Sequence, residues 1–248
     1  MTLNDLSGRL LHMFLPDRCA FCGDVVTYNT EICDKCRPQL NRQEAPICVG
    51  CGRSKPHCQC KADGRRHWNG AIAPFVYENE GVTGESVRRL KHSHNKKNAE
   101  TLGKEIAACV QERFGDVPFD CVMPVPMTKK DERKRGYSQS LWIAQAVATE
   151  MSIPCENVLQ KILQTKPQKK LSAKKRRVNL RGAIDLDEMF DLPEKTVLVV
   201  DDAITTGSTL DECARVLKIY GAAAVYVAAV CIVYKKGKDS DGGSETGN

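Results

Sequence analysis

From Asn69 onward, short runs of Val, Ile and Ala alternate with stretches whose apolar residues recur at helical spacing. AIAPFVY (71–77) reads as a strand. Helices follow around 81–92 and 98–114, the second with Leu102, Ile106, Val110 and Phe114 four residues apart. CVMPVP (121–126) reads as another strand, ahead of a basic loop and a helix around 138–150. VLQKIL (158–163) precedes a second basic stretch. TVLVV (196–200) then leads into DDAITTGST, a helix of about 208–220 and the apolar run AVYVAAVCIVY (224–234). Near-continuous apolar strands separated by helices predict an α/β domain: a parallel sheet with helices on both faces.

The first sixty residues follow another pattern. Leucines and Phe14 at helical spacing predict a short amphipathic helix over 1–18. Between Cys19 and Cys60 large apolar residues are few, and eight of the chain's 13 cysteines stand there. The expected organisation is an N-terminal helix (1–18), a Cys-rich module (19–66), an α/β domain (67–235) and a disordered Gly/Ser/Asp/Lys tail (236–248). No apolar run reaches the ~18 residues of a membrane span, so no membrane insertion is expected.

The cysteine spacing favours metal over disulfides. Cys19-x2-Cys22 with Cys33-x2-Cys36 makes one set of four, and Cys48-x2-Cys51 with Cys58-x-Cys60 a second. Two close pairs of thiolates complete a closed tetrahedral site, for which zinc is the expected ion. Two ions, or one with a degenerate second set, are the main readings; disulfides and an iron–sulfur cluster are the alternatives, and His57 is a substitute ligand at the second set. Gly23 and Gly52 follow the second cysteine of their pairs, where a knuckle turn favours positive φ. Metal binding worth ~10–16 kcal/mol can replace a missing core in so short a segment. The five ungrouped cysteines and the lack of a basic, apolar leader point to a reducing, cytoplasmic setting, with those five as ordinary thiols.

The sharpest chemical signal is TVLVVDDAITTGST (196–209). An apolar strand ends in Asp201 and Asp202, and a loop of Thr205, Thr206, Gly207, Ser208 and Thr209 opens a helix. Small residues at a helix N-terminus offer N–H groups and the positive dipole end to a phosphate. Adjacent carboxylates instead suit sugar hydroxyls or a metal ion. The expected ligand therefore carries a phosphate and vicinal hydroxyls, a phosphorylated ribose. No lysine follows the glycine, so this is not a Walker loop, and the dinucleotide GxGxxG pattern is also missing.

The stretch resembles the phosphoribosyl-pyrophosphate (PRPP) motif of type I phosphoribosyltransferases. With the N-terminal cysteines, PVP…RKRGYSQ (124–139) and TKPQKKLSAKKRRVNLRGA (165–183), the chain resembles the ComF family of competence-related phosphoribosyltransferases from about Cys19 to Tyr234. The resemblance implies a double zinc ribbon before a type I phosphoribosyltransferase-like fold. It implies that Asp201 and Asp202 hold the ribose hydroxyls as catalytic acids. Ala203, Thr205, Thr206, Gly207, Ser208 and Thr209 would take the 5′-phosphate. The loop from Met127 to Tyr137 would bind pyrophosphate, with Lys129, Arg133, Arg135 and Gly136, and residues 165–181 would close over substrate, contributing Arg176 and Arg177. Mg²⁺ would accompany PRPP.

Charge placement supports this. Residues 165–181 carry eight Lys or Arg and no acid, and 129–135 carry five basic residues against Asp131 and Glu132, in a chain whose net charge is only +6. Such clusters suit a pyrophosphate with its metal. A solvated surface or a nucleic-acid groove would look similar, although little aromatic interleaving argues against a stacking-dominated single-strand binder. Two function classes follow: an enzyme transferring phosphoribose to an unidentified nucleophile with release of pyrophosphate, and a non-catalytic PRPP-sensing adaptor in DNA uptake whose partners are single-stranded DNA or uptake proteins.

Overall fold

The computed structural model describes residues 12–64, 66–92, 95–162, 182–187 and 189–234. The α/β part contains strands β1 (Gly70–Ile72), β2 (Phe75–Val76), β3 (Cys121–Pro124), β4 (Leu159–Lys161), β5 (Ile184–Leu186), β6 (Thr196–Ile204) and β7 (Ala224–Ile232). Its helices are α1 (Val82–His92), α2 (Lys96–Phe114), α3 (Lys129–Arg135), α4 (Gln139–Met151) and α5 (Ser208–Ile219). The main sheet runs β1–β7–β6–β3, all parallel, with β2 also on β7.

Side chains alternate across the two long central strands, as a doubly covered sheet requires. Leu198, Val200, Ala228 and Val230 face a core shared with α2 and α4; Val197, Val199, Val227 and Ala229 face Leu210, Cys213 and Leu217 of α5. Cys19, Phe21, Ile32 and Cys36 belong to the first of these cores, so the Cys-rich segment shares the sheet's apolar interior.

Four local readings change. AIAPFVY is two strands rather than one, broken at Ala73–Pro74, where proline has no N–H for a continuous ladder. The Cys-rich segment covers this edge: Ala71 donates to the Val49 carbonyl at 2.8 Å and Val76 to that of Asn41 at 2.8 Å. VLQKIL yields only β4, which leaves the main sheet and pairs antiparallel with β5. β6 does not stop at Val200 but runs through both acids to Ile204, because β7 stays apolar and in register as far as Ile232. The basic loop contains helix α3. Thr128 caps it, accepting from the Asp131 N–H at 3.0 Å, and Gly136 ends it at φ 78° with its N–H on the Glu132 carbonyl at 2.7 Å.

Of the predicted N-terminal helix, residues 12–14 are helical and 1–11 lie outside the described residues, as do 163–181 and the tail after Tyr234. No described helix is long and apolar enough to cross a membrane.

Candidate functional site

β3 pairs with β6 only as far as Val200, so the acids occupy the first positions of β6 beyond the end of its neighbour. This is the carboxyl edge of a parallel sheet, where ligands of open α/β folds bind. Asp202 is buried, 8% exposed, and its Oδ2 lies 2.8 Å from Nζ of Lys91 in the last turn of α1. Burial opposes the Lys91 charge, but the Asp202 carboxylate outweighs it and holds the ammonium above its ordinary pKa. Asp201 accepts the Asp202 N–H at 2.8 Å. Burial first, then the adjacent Asp202 charge, push its carboxyl up to about 7. The two neighbouring acids thus sit in different surroundings: Asp202 is ion-paired to Lys91, and Asp201 is held by the Asp202 main chain.

The following loop turns at Gly207, φ 70°, the residue that caps α5. Thr206 and Ser208 hydroxyls are 2.7 Å apart, and Asp211 donates to the Gly207 carbonyl at 2.8 Å. The paired Thr206 and Ser208 hydroxyls and the first turn of this twelve-residue helix thus follow directly on the strand that carries the two acids, a setting suited to an anion.

The other expected site residues distribute unevenly. Lys129 and Arg133 are exposed on α3; Arg135 is half-buried, donates to Gln139 Oε1 at 2.8 Å, and is close enough for its charge to oppose that of Lys91. Gly136 is the left-handed end of α3. Ala203 lies on β6 opposite Cys231. Arg176 and Arg177 lie outside the described residues, between Ile162 and Gly182. Ile162 donates to the Ala183 carbonyl at 3.0 Å, and Gly182 donates to Oε1 of Glu212 at 2.8 Å. The described residues on the two sides of that stretch are thus joined to each other and to α5.

Lys91 and Lys161 were missed from sequence. Lys161 on β4 contributes a charge that lowers the Asp201 pKa against its burial. A cavity of about 240 Å³ opens next to it, lined by Pro126, Lys129, Glu132, Asn157 and Gln160 among others. Tyr137 is buried, donates to the Leu90 carbonyl at 2.7 Å and stacks on Trp142 at 4.4 Å, fixing the end of α1 that carries Lys91. A lysine at the end of an amphipathic helix has no local signature of this role.

The eight cysteines form the two expected quartets, the four sulfurs of each within 4.8 Å of one another. Measured separations are 3.7 Å for Cys22–Cys33, 3.6 Å for Cys48–Cys60, 3.8 Å for Cys51–Cys58 and 3.4 Å for Cys48–Cys58. A tetrahedral ion with Zn–S of about 2.3 Å requires sulfurs about 3.8 Å apart, so both quartets fit structural zinc. They are free thiols, far beyond the ~2 Å of a disulfide. The two knuckles repeat one turn: Gly23 donates to the Cys19 carbonyl at 2.9 Å, and Gly52 to that of Cys48 at 2.8 Å, both glycines at positive φ. Burial would raise the Cys19 pKa, but N–H groups of Cys33, Cys22 and Phe21 directed at its sulfur bring it down to about 7.

Comparison with known proteins follows this division. A double zinc ribbon domain matches residues 10–66, and a phosphoribosyl transferase domain matches residues 138–244. Competence protein F of Haemophilus influenzae is 28% identical over 225 residues, 86% of this chain and 96% of that protein. Competence protein ComFC of Bacillus subtilis is 24% identical over 230 residues, 89% of this chain and 86% of the relative. DNA utilization protein YhgH of Escherichia coli K12 is 24% identical over 220 residues, 86% of this chain and 89% of the relative. Among solved structures, glutamine PRPP amidotransferase from B. subtilis aligns with a TM-score of 0.38 and 22% identity over 57% of this chain, which spans only 30% of that enzyme. Adenine phosphoribosyltransferase from Saccharomyces cerevisiae aligns with a TM-score of 0.36 and 13% identity over 60% of this chain and 82% of that one. The chain thus carries a double zinc ribbon ahead of a phosphoribosyl transferase domain and is similar along most of its length to competence protein F, ComFC and the DNA utilization proteins.

Proposed function

We propose that the chain binds PRPP at the carboxyl end of β6 and transfers its phosphoribosyl group to a nitrogen nucleophile, releasing pyrophosphate. The observation that carries this is the pair Asp201 and Asp202 at the end of a parallel strand, Asp202 ion-paired to Lys91 and Asp201 accepting its N–H, ahead of the Gly207 turn that opens α5. In this reading Thr205, Thr206, Gly207, Ser208 and Thr209 take the 5′-phosphate, and the two carboxylates orient the ribose hydroxyls. Transfer breaks the bond between C1 and the pyrophosphate oxygen and forms one from C1 to the acceptor, through an oxocarbenium-like centre. Lys129, Arg133, Arg135 and the basic segment with Arg176 and Arg177 neutralise the departing pyrophosphate.

Asp201 is the better proton acceptor. Its pKa near 7 matches the needs of a general base at neutral pH, whereas Asp202 is occupied by Lys91. The donor set also fits a hard cation, since a divalent ion relieves the repulsion between the adjacent carboxylates. Mg²⁺ bound with the pyrophosphate supplies charge neutralisation to the leaving group.

A second reading is supported by the basic segment and the ribbons: a PRPP-sensing adaptor that contacts single-stranded DNA or proteins of DNA uptake, in keeping with relatives named for competence and for DNA utilization. One screen separates them. Incubating the chain with PRPP, Mg²⁺ and panels of nucleobases, amines and ammonia donors releases pyrophosphate if it is an enzyme. PRPP binding with no release for any acceptor, together with salt-dependent binding of single-stranded DNA, supports the adaptor.

A further inference from the structure

The second quartet is connected to the loop after β6 by side chains from both of its halves. Arg53, two residues after Cys51 and only 2% exposed, donates from Nη2 to the Thr205 carbonyl at 3.0 Å and to that of Val233 at 3.5 Å. Its own main chain is held in the knuckle, its carbonyl accepting the Cys48 N–H at 2.7 Å. Arg66, six residues after Cys60, donates from Nη2 to the Thr206 carbonyl at 2.8 Å and lies over the Trp68 ring at 5.0 Å. Trp68 donates from Nε1 to the carbonyl of Gly50, inside the Cys48–Cys51 knuckle, at 2.7 Å. Its ring packs so closely on Gly207 that a Cβ there would fall 2.7 Å from it. The end of β7 is tied in as well: Tyr234 shares a 3.0 Å hydroxyl bond with Ser54 and stacks on His57 at 4.3 Å.

These contacts orient peptides, not only side chains. The bonds joining Thr205 to Thr206 and Thr206 to Gly207 are trans, so each N–H points opposite to its carbonyl. Guanidinium groups holding both carbonyls toward the ribbon direct the Thr206 and Gly207 N–H groups away from it. Those are donors of the loop that opens α5.

We propose that the second ribbon is a built part of the ligand site, with Arg53, Arg66 and Trp68 as positioning residues for the Thr205–Gly207 peptides. Metal in the Cys48, Cys51, Cys58 and Cys60 quartet and an anion on the loop then strengthen each other's binding. This rests on the reading of that loop as a phosphate site. Linkage is reciprocal, and couplings of this kind amount to about 5–150-fold in affinity. A ribbon that merely stabilised the fold would change zinc retention to the same degree with and without ligand.

The zinc-loaded full chain is challenged with a chromogenic chelator, with and without ribose 5-phosphate, as wild type, Arg53→Lys and Arg53→Gln. In the wild type the sugar phosphate slows release from the second quartet by about 5–50-fold, and in the variants by less than twofold, at unchanged zinc stoichiometry. Amide exchange is read in parallel without ligand. Withdrawing the second ion speeds exchange at Thr206 and Gly207 at least about tenfold and leaves Val197 to Val200 of β6 unchanged. Ligand-independent release while calorimetry shows ribose 5-phosphate bound overturns the proposal, and so does unchanged loop exchange. Failure of ribose 5-phosphate to bind at all contradicts the phosphate-site reading instead, and the exchange measurement then decides the brace alone.

Discussion

Asp201 carries the least comfortable charge of the site. Its pKa is raised to about 7 from an ordinary value near 3.8, by burial and then by Asp202. An acid whose folded pKa lies above its unfolded value binds an extra proton in the native state between those limits, so its contribution to stability falls as pH rises from about 4 to about 7. Asp201→Asn is therefore expected to stabilise the chain by about 1–2 kcal/mol at pH 8, a Tm increase of a few degrees, with the gain shrinking toward pH 4. Thermal denaturation across that range checks it, and a constant difference would contradict the assignment. Lys91→Met acts oppositely: it leaves Asp202 buried without its 2.8 Å partner and should cost about 1–3 kcal/mol, less than for a fully buried pair because Lys91 is half-exposed. The acids and hydroxyls lie together in sequence and were legible there. Lys91, Lys161 and Arg53 were not, because their partners lie 111, 40 and 152 residues away, distances that only the sheet closes.

At the scale of elements, the longest apolar and amphipathic segments were read correctly, and errors gathered where short-range chemistry competes with pattern. TKKDERKRG looked like a loop because its charge hides a Thr cap, acids in the first turn, bases in the last and a terminal glycine, all of which favour a short helix. Thr128→Ala should cost about 1 kcal/mol, readable as lost protection of the α3 amides. Two left-handed glycines give a sharper comparison. A Cβ on Gly182 (φ 73°) meets nothing within 4 Å, whereas one on Gly207 (φ 70°) meets Trp68 at 2.7 Å. Gly182→Ala should therefore cost about 1 kcal/mol, while Gly207→Ala adds overpacking worth ~1–3 kcal/mol and displaces the loop. Chemical denaturation of the two variants side by side tests this; equal losses would mean that the indole is not a wall of the turn.

Across the whole molecule, two parts that differ in composition fold as one. Besides the second ribbon's contacts with the loop, the first ribbon rests on α1: Ser86 donates to the Ala20 carbonyl at 2.8 Å and Arg89 to that of Cys22 at 3.1 Å. Phe21 meets Phe75 edge to face at 5.5 Å. The cysteine spacing announced the metal sites but carried no sign that both ribbons brace the helix and loop flanking the acids. PRPP binding at this braced edge of β6 is the proposal on which the other expectations depend. Calorimetric titration of the zinc-loaded chain with PRPP and Mg²⁺ tests it most directly. One site per chain is expected, weakened at least about tenfold, or 1.4 kcal/mol, when Asp201 and Asp202 are both replaced by Asn. No binding, or binding of equal strength in that variant, would contradict it.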